Sequence, residues 1–189
     1  MSKLPLLSTL LITAALASGC SINAPRYSAN YAGVAELKAA NLAALKVADV
    51  AKATDAKKQT EKLTIRGSSY NSPYGSFEGY LNSALREDLS QAGLLDDKSD
   101  VQISSTLIRN ELDGSGFSLG FAEIEARFEV RRAGSVIYDH SKTARQEWPS
   151  SFIGGVAIPR AAQNYPLAVS KLLGTLYADP EFIKAVKKP

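Results

Sequence analysis

Ala122-Glu123-Ile124-Glu125-Ala126-Arg127-Phe128-Glu129-Val130-Arg131 alternates apolar and charged side chains without a break. Successive residues of a strand point to opposite faces of a sheet. This stretch therefore reads as a strand with one face buried and one charged and solvated. After it, Arg132-Ala133-Gly134 turns the chain, and Val136-Ile137-Tyr138 begins a partner strand that reaches toward Trp148. Before it, Asp113-Gly114-Ser115-Gly116 breaks an earlier strand running from Val101 to about Leu112. In that strand Val101, Ile103 and Ser105 oppose Gln102, Ser104 and Thr106. The three together read as an antiparallel meander.

The flanks of the meander have helical period. Phe77, Tyr80, Leu81, Ala84, Leu85, Leu89 and Ala92 recur three or four apart behind a candidate N-cap, Ser76. Glu78, Asn82, Arg86, Glu87 and Gln91 fall largely on the opposite face. Gly93 stops that helix, because glycine accepts the left-handed cap conformation. On the other flank, Leu167, Val169, Leu172, Leu173, Leu176 and Tyr177 form a second apolar stripe. Pro166 belongs in its first turn or kinks a helix begun near Arg160. A Gly-rich stretch, 151–159, leads into it, and Asp179-Pro180-Glu181 starts a short terminal helix to about Val186.

Upstream, Ser72-Pro73-Tyr74-Gly75 is a turn, Leu63 to Gly67 a short strand, and Thr54 to Lys62 a charged connector. Leu45 to Val50 alternates as a strand does, and Tyr31 to Ala43 reads as a short Ala-rich helix carrying Val34, Leu37 and Leu42. Residues 20–30 have no period and read as a tether. The resulting order is β-α-β-β-β-α. It predicts an α+β fold, a small antiparallel sheet with two main helices on one face.

The N-terminus is of a different kind. Lys3 precedes a mostly apolar run, Leu4 to Leu16, and Ala17-Ser18-Gly19-Cys20 follows. A charged start, a short apolar core and small residues describe a secretory signal, and the run is too short for a comfortable membrane span of about 20 residues. Cys20 is the chain's one cysteine. Leu16 to Cys20 resembles the lipobox of bacterial lipoproteins, with Ala17 where leucine is commonest. The resemblance implies cleavage between Gly19 and Cys20, lipid on the Cys20 thiol, and acylation of the new amine. Ser21, rather than Asp, resembles an outer-membrane sorting signal. The expected organisation is a signal at 1–19, a lipidated tether and short helix at 20–43, and one domain at 44–189.

Behind this motif, the element order resembles the compact domain of small Gram-negative envelope lipoproteins. These include the YajG-type proteins, the LptE lipopolysaccharide-assembly lipoprotein and the auxiliary lipoproteins of lipid-transport ABC systems. The segments that carry the resemblance are Ser72 to Gly75 with its helix, Ile124 to Val130, and Leu172 to Phe182. It implies an outer-membrane lipoprotein facing the periplasm, and it assigns no site residue beyond Cys20.

The residues offer little to catalysis. His140 is the only histidine, and its neighbour Asp139 points to the other face of the strand. Glu123, Glu125 and Glu129 share a face with Arg127 and Arg131, which reads as ion pairing on a wet sheet rather than as paired catalytic carboxylates. No catalytic residue, metal ligand or cofactor is expected beyond the covalent lipid on Cys20. Loss of residues 1–19 removes only Lys3, taking the formal charge from +3 to +2, which gives no electrostatic case for nucleic acid. The expected partners are the membrane through the anchor, an envelope protein, and, as an alternative, a lipid or lipopolysaccharide ligand. Candidate contacts are Phe117, Leu119 and Phe121 in the Gly-rich hairpin segment 114–121, where capping the core is the competing reading, and Tyr74 at the Ser-Pro-Tyr turn.

Overall fold

The computed structural model describes residues 21–50 and 60–188. Gly19, Cys20 and the apolar run before them lie outside the described residues, as does most of the charged connector. The fold is α+β, as expected, but it has two sheets, and both are mixed. One contains β1 (Ser21–Asn23), β3 (Leu63–Ile65) and β4 (Ser68–Asn71) in the order β1-β4-β3. The other contains β2 (Lys46–Val47), β5 (Val101–Asp113), β6 (Leu119–Arg132) and β7 (Ser135–Pro149) in that order. Strands β5, β6 and β7 are the antiparallel meander, while β2 pairs with β5 in parallel and β1 with β4 in parallel. Among the described residues there are also four helices: α1 (Tyr31–Ala39), α2 (Phe77–Ala92), α3 (Gly154–Tyr177) and α4 (Pro180–Val186).

Alternation on β6 does what the sequence predicts. Ala122, Ile124, Ala126, Phe128 and Val130 are buried on the face that α3 covers, and the odd-numbered residues face out. Gly120 is an inward position where a Cβ would lie 2.6 Å from Nε1 of Trp148, so only glycine lets that indole pack flat on the sheet. Between helices and sheet, Tyr165 meets Tyr70, Phe77 and Tyr80 with ring centroids 5.2–5.6 Å apart, mostly edge to face. Tyr165 also donates its hydroxyl to Asn110 Oδ1 at 3.0 Å, and Asn110 Nδ2 donates to the Thr60 carbonyl at 2.8 Å.

Several elements depart from the expectation, each for a local reason. Residues 21–30 are part of the fold: β1 adds to β4, Ala24 donates to the Asn71 carbonyl at 2.8 Å, and Ala24 and Tyr27 are buried. Strand β4 completes a hairpin with β3 through Arg66-Gly67. Glu78 is buried rather than exposed. β5 bulges between Leu107 and Arg109, and the Glu78 carboxylate accepts from the Leu107 N–H at 3.3 Å. Helix α2 begins at Ser76 as predicted, with Ser76 Oγ accepting from Gly79 N. Glu61, a residue of the connector, adds two bonds by accepting from Phe77 N at 2.5 Å and Glu78 N at 2.9 Å.

Helix α3 runs from Gly154, so the Gly-rich stretch forms its start and both Pro159 and Pro166 lie inside it. An interior proline removes one N–H and orphans the carbonyl four residues back. For Pro166 that carbonyl belongs to Ala162, and the Tyr70 hydroxyl donates to it at 2.9 Å. The small sheet thus supplies the bond that the helix cannot make for itself. Helix α4 starts on Asp179, whose carboxylate accepts from Glu181 N at 2.8 Å, from the Tyr138 hydroxyl at 2.7 Å and from Lys142 Nζ at 2.5 Å. Burial alone would raise this carboxyl. The bonds from Lys142, Tyr138 and Glu181 outweigh it and hold the group at about 2.

Candidate functional site

The loop between β5 and β6 and the segment between β7 and α3 meet at one end of the meander. Phe117 and Phe152 stand 71% and 75% exposed, with ring centroids 5.5 Å apart. Leu119 is exposed on the first residue of β6, opposite Pro149, and Ile153 is 65% exposed at the N-cap of α3. The apolar segment read from the sequence therefore does present Phe117 and Leu119 to solvent. Phe121 is set apart from them: it lies on the charged face of β6, half-buried beneath the Arg145 guanidinium 3.7 Å from its ring centre. Tyr74 is half-buried, edge-on to Tyr80 at 5.4 Å and covered by Arg26. Neither Phe152 nor Ile153 was singled out by sequence, because 151–159 reads as a linker. The one available signal was two adjacent apolar residues among glycines and serines.

Arg66 holds this end together. It donates to the Gly114 carbonyl at 3.0 Å, to Phe152 at 2.8 Å and to Ser151 at 2.6 Å. Its backbone sits at φ +50°, a left-handed conformation that costs a non-glycine residue about 1 kcal/mol or more. The three charge-assisted bonds offset that cost. Arg66→Ala is expected to destabilise the fold by about 2 kcal/mol and to speed amide exchange at 114–118 and 151–153 selectively. Exchange mapping by mass spectrometry checks it, and uniform acceleration across the chain would contradict the latch.

The outer face of β5-β6-β7 is a ladder of ion pairs: Arg109–Glu123 at 2.6 Å, Arg145–Glu123 at 3.0 Å, Arg127–Asp139 at 2.5 Å and Arg131–Glu129 at 2.5 Å. Most of the β6 charges are neutralised across strands by Arg109, Asp139 and Arg145, and Arg131–Glu129 pairs within β6, so the face is a field of ion pairs as the sequence predicts. His140 is exposed and contacts Glu181 at 3.0 Å, while Asp139 turns away to Arg127. Among the described residues, no group of three or more His, Cys, Asp or Glu is placed to hold a metal ion.

A second strongly perturbed carboxyl is Asp88, buried on α2. It accepts from the Tyr27 hydroxyl at 3.1 Å and the Tyr177 hydroxyl at 2.9 Å, tying the N-terminal segment and the end of α3 to α2. Burial pushes it up to about 6 against the two tyrosine bonds, which pull it down. The folded state therefore holds this proton more tightly than the unfolded chain, where the group titrates near 4. Its contribution favours folding below about pH 4 and is lost as pH rises through about 6. Asp88→Asn is expected to match the parent's melting temperature at pH 4 and to exceed it at pH 7.5, by an amount worth on the order of 1–2 kcal/mol. A variant less stable than the parent at pH 7.5 would overturn this.

One concave feature is a groove of about 530 Å³ between the N-terminal segment and α3, lined by Pro25, Arg26, Ala29, Tyr31, Pro166 and Leu167 among others. Tyr31 is 93% exposed at its rim. Among the described residues no helix is long and apolar enough to cross a membrane.

No family model matches the chain, and no curated protein matches it. Among solved structures it is similar to a Xanthomonas campestris protein of the DUF330 family, with a TM-score of 0.57 at 17% identity, covering 86% of this chain and 95% of that one. A candidate lipoprotein of Caulobacter crescentus follows at TM-score 0.48 and 10% identity, covering 83% of this chain and 98% of that one. A minor lipoprotein of Acinetobacter baumannii has TM-score 0.39 and 11% identity, covering 77% and 94%. At such identities the first likeness establishes a shared fold and nothing about activity.

Proposed function

We propose that this protein is a non-catalytic lipoprotein of the Gram-negative envelope. Lipid on Cys20 holds it on the periplasmic face of the outer membrane, where it binds an envelope protein. The observation that carries the reading is the place of the single cysteine, directly behind the apolar run and directly before β1. Exposed Tyr31 and Leu167 on the rim of the α3 groove suit a protein partner, since tyrosine offers apolar area and a hydroxyl together. A photo-crosslinker in place of Tyr31 is expected to capture one envelope protein in intact cells, and Leu167→Asp is expected to abolish the product. Absence of any specific product would count against a partner at this groove.

The groove also favours a second reading, a lipid-handling accessory. Its volume falls in the range of about 300–1,000 Å³ typical of small-molecule sites, and Pro25, Ala29, Pro166 and Leu167 make part of its wall apolar. The sheet–helix interface, by contrast, is filled by Tyr70, Phe77, Tyr80 and Tyr165. Lipid co-purifying after mild extraction, and lost in the same Leu167→Asp variant, would favour this reading over the first.

A further inference from the structure

The chain enters the fold at the same end as the exposed phenylalanines. Because β1 runs parallel to β4, Ser21 stands opposite Ser69, next to the Arg66-Gly67 turn. Arg66 in turn grips Gly114, Ser151 and Phe152. Adding a strand spacing, a few residues of chain and the reach of one arginine puts Ser21 roughly 15–20 Å from Phe152. Cys20 is one peptide bond from Ser21, so a bilayer holding lipid on Cys20 lies at this end of the molecule, about 20 Å or less from Phe152.

The rim at that end is built for an apolar neighbour. Phe117, Leu119, Phe152, Ile153 and Val156 are all exposed, an apolar area on the order of 500 Å², near the upper limit of what a soluble monomer shows. Charged residues make up 22% of the chain, yet residues 114–122 and 149–159 contain none. Ile153 occupies the N-cap of the longest helix and makes no side-chain cap bond, where Ser, Thr or Asp would satisfy an N–H.

We infer that this rim inserts into the bilayer interface, with Phe117, Phe152 and Ile153 among the acyl chains beside the lipid of Cys20. The inference rests on the Cys20 reading above and adds a fixed orientation. The Arg66 end lies on the membrane, and the opposite end, with Lys98 and the Ala133-Gly134 turn, points into the periplasm. The occupant is a lipid surface rather than a protein because the anchor brings that surface to this end.

The test uses the mature lipoprotein in vesicles of phosphatidylethanolamine and phosphatidylglycerol. Lipidation consumes the one native thiol, so Phe152→Cys and, separately, Lys98→Cys each provide a single site for a nitroxide label. Relaxation by oxygen, which partitions into lipid, is compared with relaxation by a water-soluble nickel chelate. The expected oxygen-to-nickel ratio is about threefold or more higher at 152 than at 98, as for a side chain seated about 5–10 Å into the headgroup boundary. A lipidated protein whose 152 label behaves like the 98 label would overturn the inference and leave the anchor standing. A 152 label shielded from both reagents would overturn it in favour of a protein or second copy covering the rim. An intact mass showing an unmodified Cys20 would overturn the anchor and this inference together.

Discussion

If Cys20 carries the proposed lipid, Cys20→Ser is expected to move the protein from the membrane pellet to the soluble periplasmic fraction. Each buried methylene of an acyl chain contributes about 0.8 kcal/mol, and a single myristoyl chain already binds with a constant of about 10⁴ M⁻¹. Losing a diacylglycerol and an amide-linked chain together removes far more than any surface patch restores. The expected fall in membrane partition is about 100-fold or more. Serine cannot take the thioether, yet position 20 precedes the first strand, so the fold should survive. Melting temperatures of variant and parent in detergent are expected to agree within about 2 °C, less than about 1 kcal/mol for a domain of this size. Fractionation with a melt of the soluble pool checks both halves. Persistence in the pellet after the exchange would show that some other feature holds the protein there.

Tyr165→Ala is the most damaging single change expected inside the fold. Its ring is fully buried against Tyr70, Phe77 and Tyr80, and its hydroxyl reaches Asn110. Truncating a buried aromatic costs about 3–5 kcal/mol, out of a total of about 5–15 for a typical domain. Tyr165→Phe keeps the ring and leaves Asn110 Oδ1 without that donor, at about 1–2 kcal/mol. Urea melts of the two variants separate ring from hydroxyl. Equal losses would mean that the Thr60–Asn110–Tyr165 chain, not aromatic packing, dominates this part of the core.

Where one periodic face decided the structure, sequence was enough. The meander, the α2 caps at Ser76 and Gly93, and the Asp179-Pro180 start of α4 all depend on neighbours in the chain. What stayed hidden depends on partners far away. Glu78 lies at the polar edge of its helix, and its burial shows only once α2 is packed on β5, where its carboxylate meets the Leu107 N–H. Glu61 looks like one more charge in a connector until it is placed against the first turn of α2. For helix α3 the sequence leaves open a start at Pro166 or a kinked helix from near Arg160, because the compensating Tyr70 hydroxyl sits 92 residues from Ala162. Three-residue β1 has no period to detect, so residues 21–30 read as a tether. The candidate site was half legible for the same reason: Phe117 and Leu119 stand in a recognisable apolar hairpin, whereas Phe152 and Ile153 join them only through the tertiary fold.

The pairing of β1 with β4 also determines how the molecule carries mechanical load. A pull at Ser21 along the strand axis strains every backbone bond between the two strands at once, in shear, instead of opening them one by one like a zip. From β4 the force would spread into the main body through β3 against β5, through the Arg66 bonds and through the Tyr70 bond to α3.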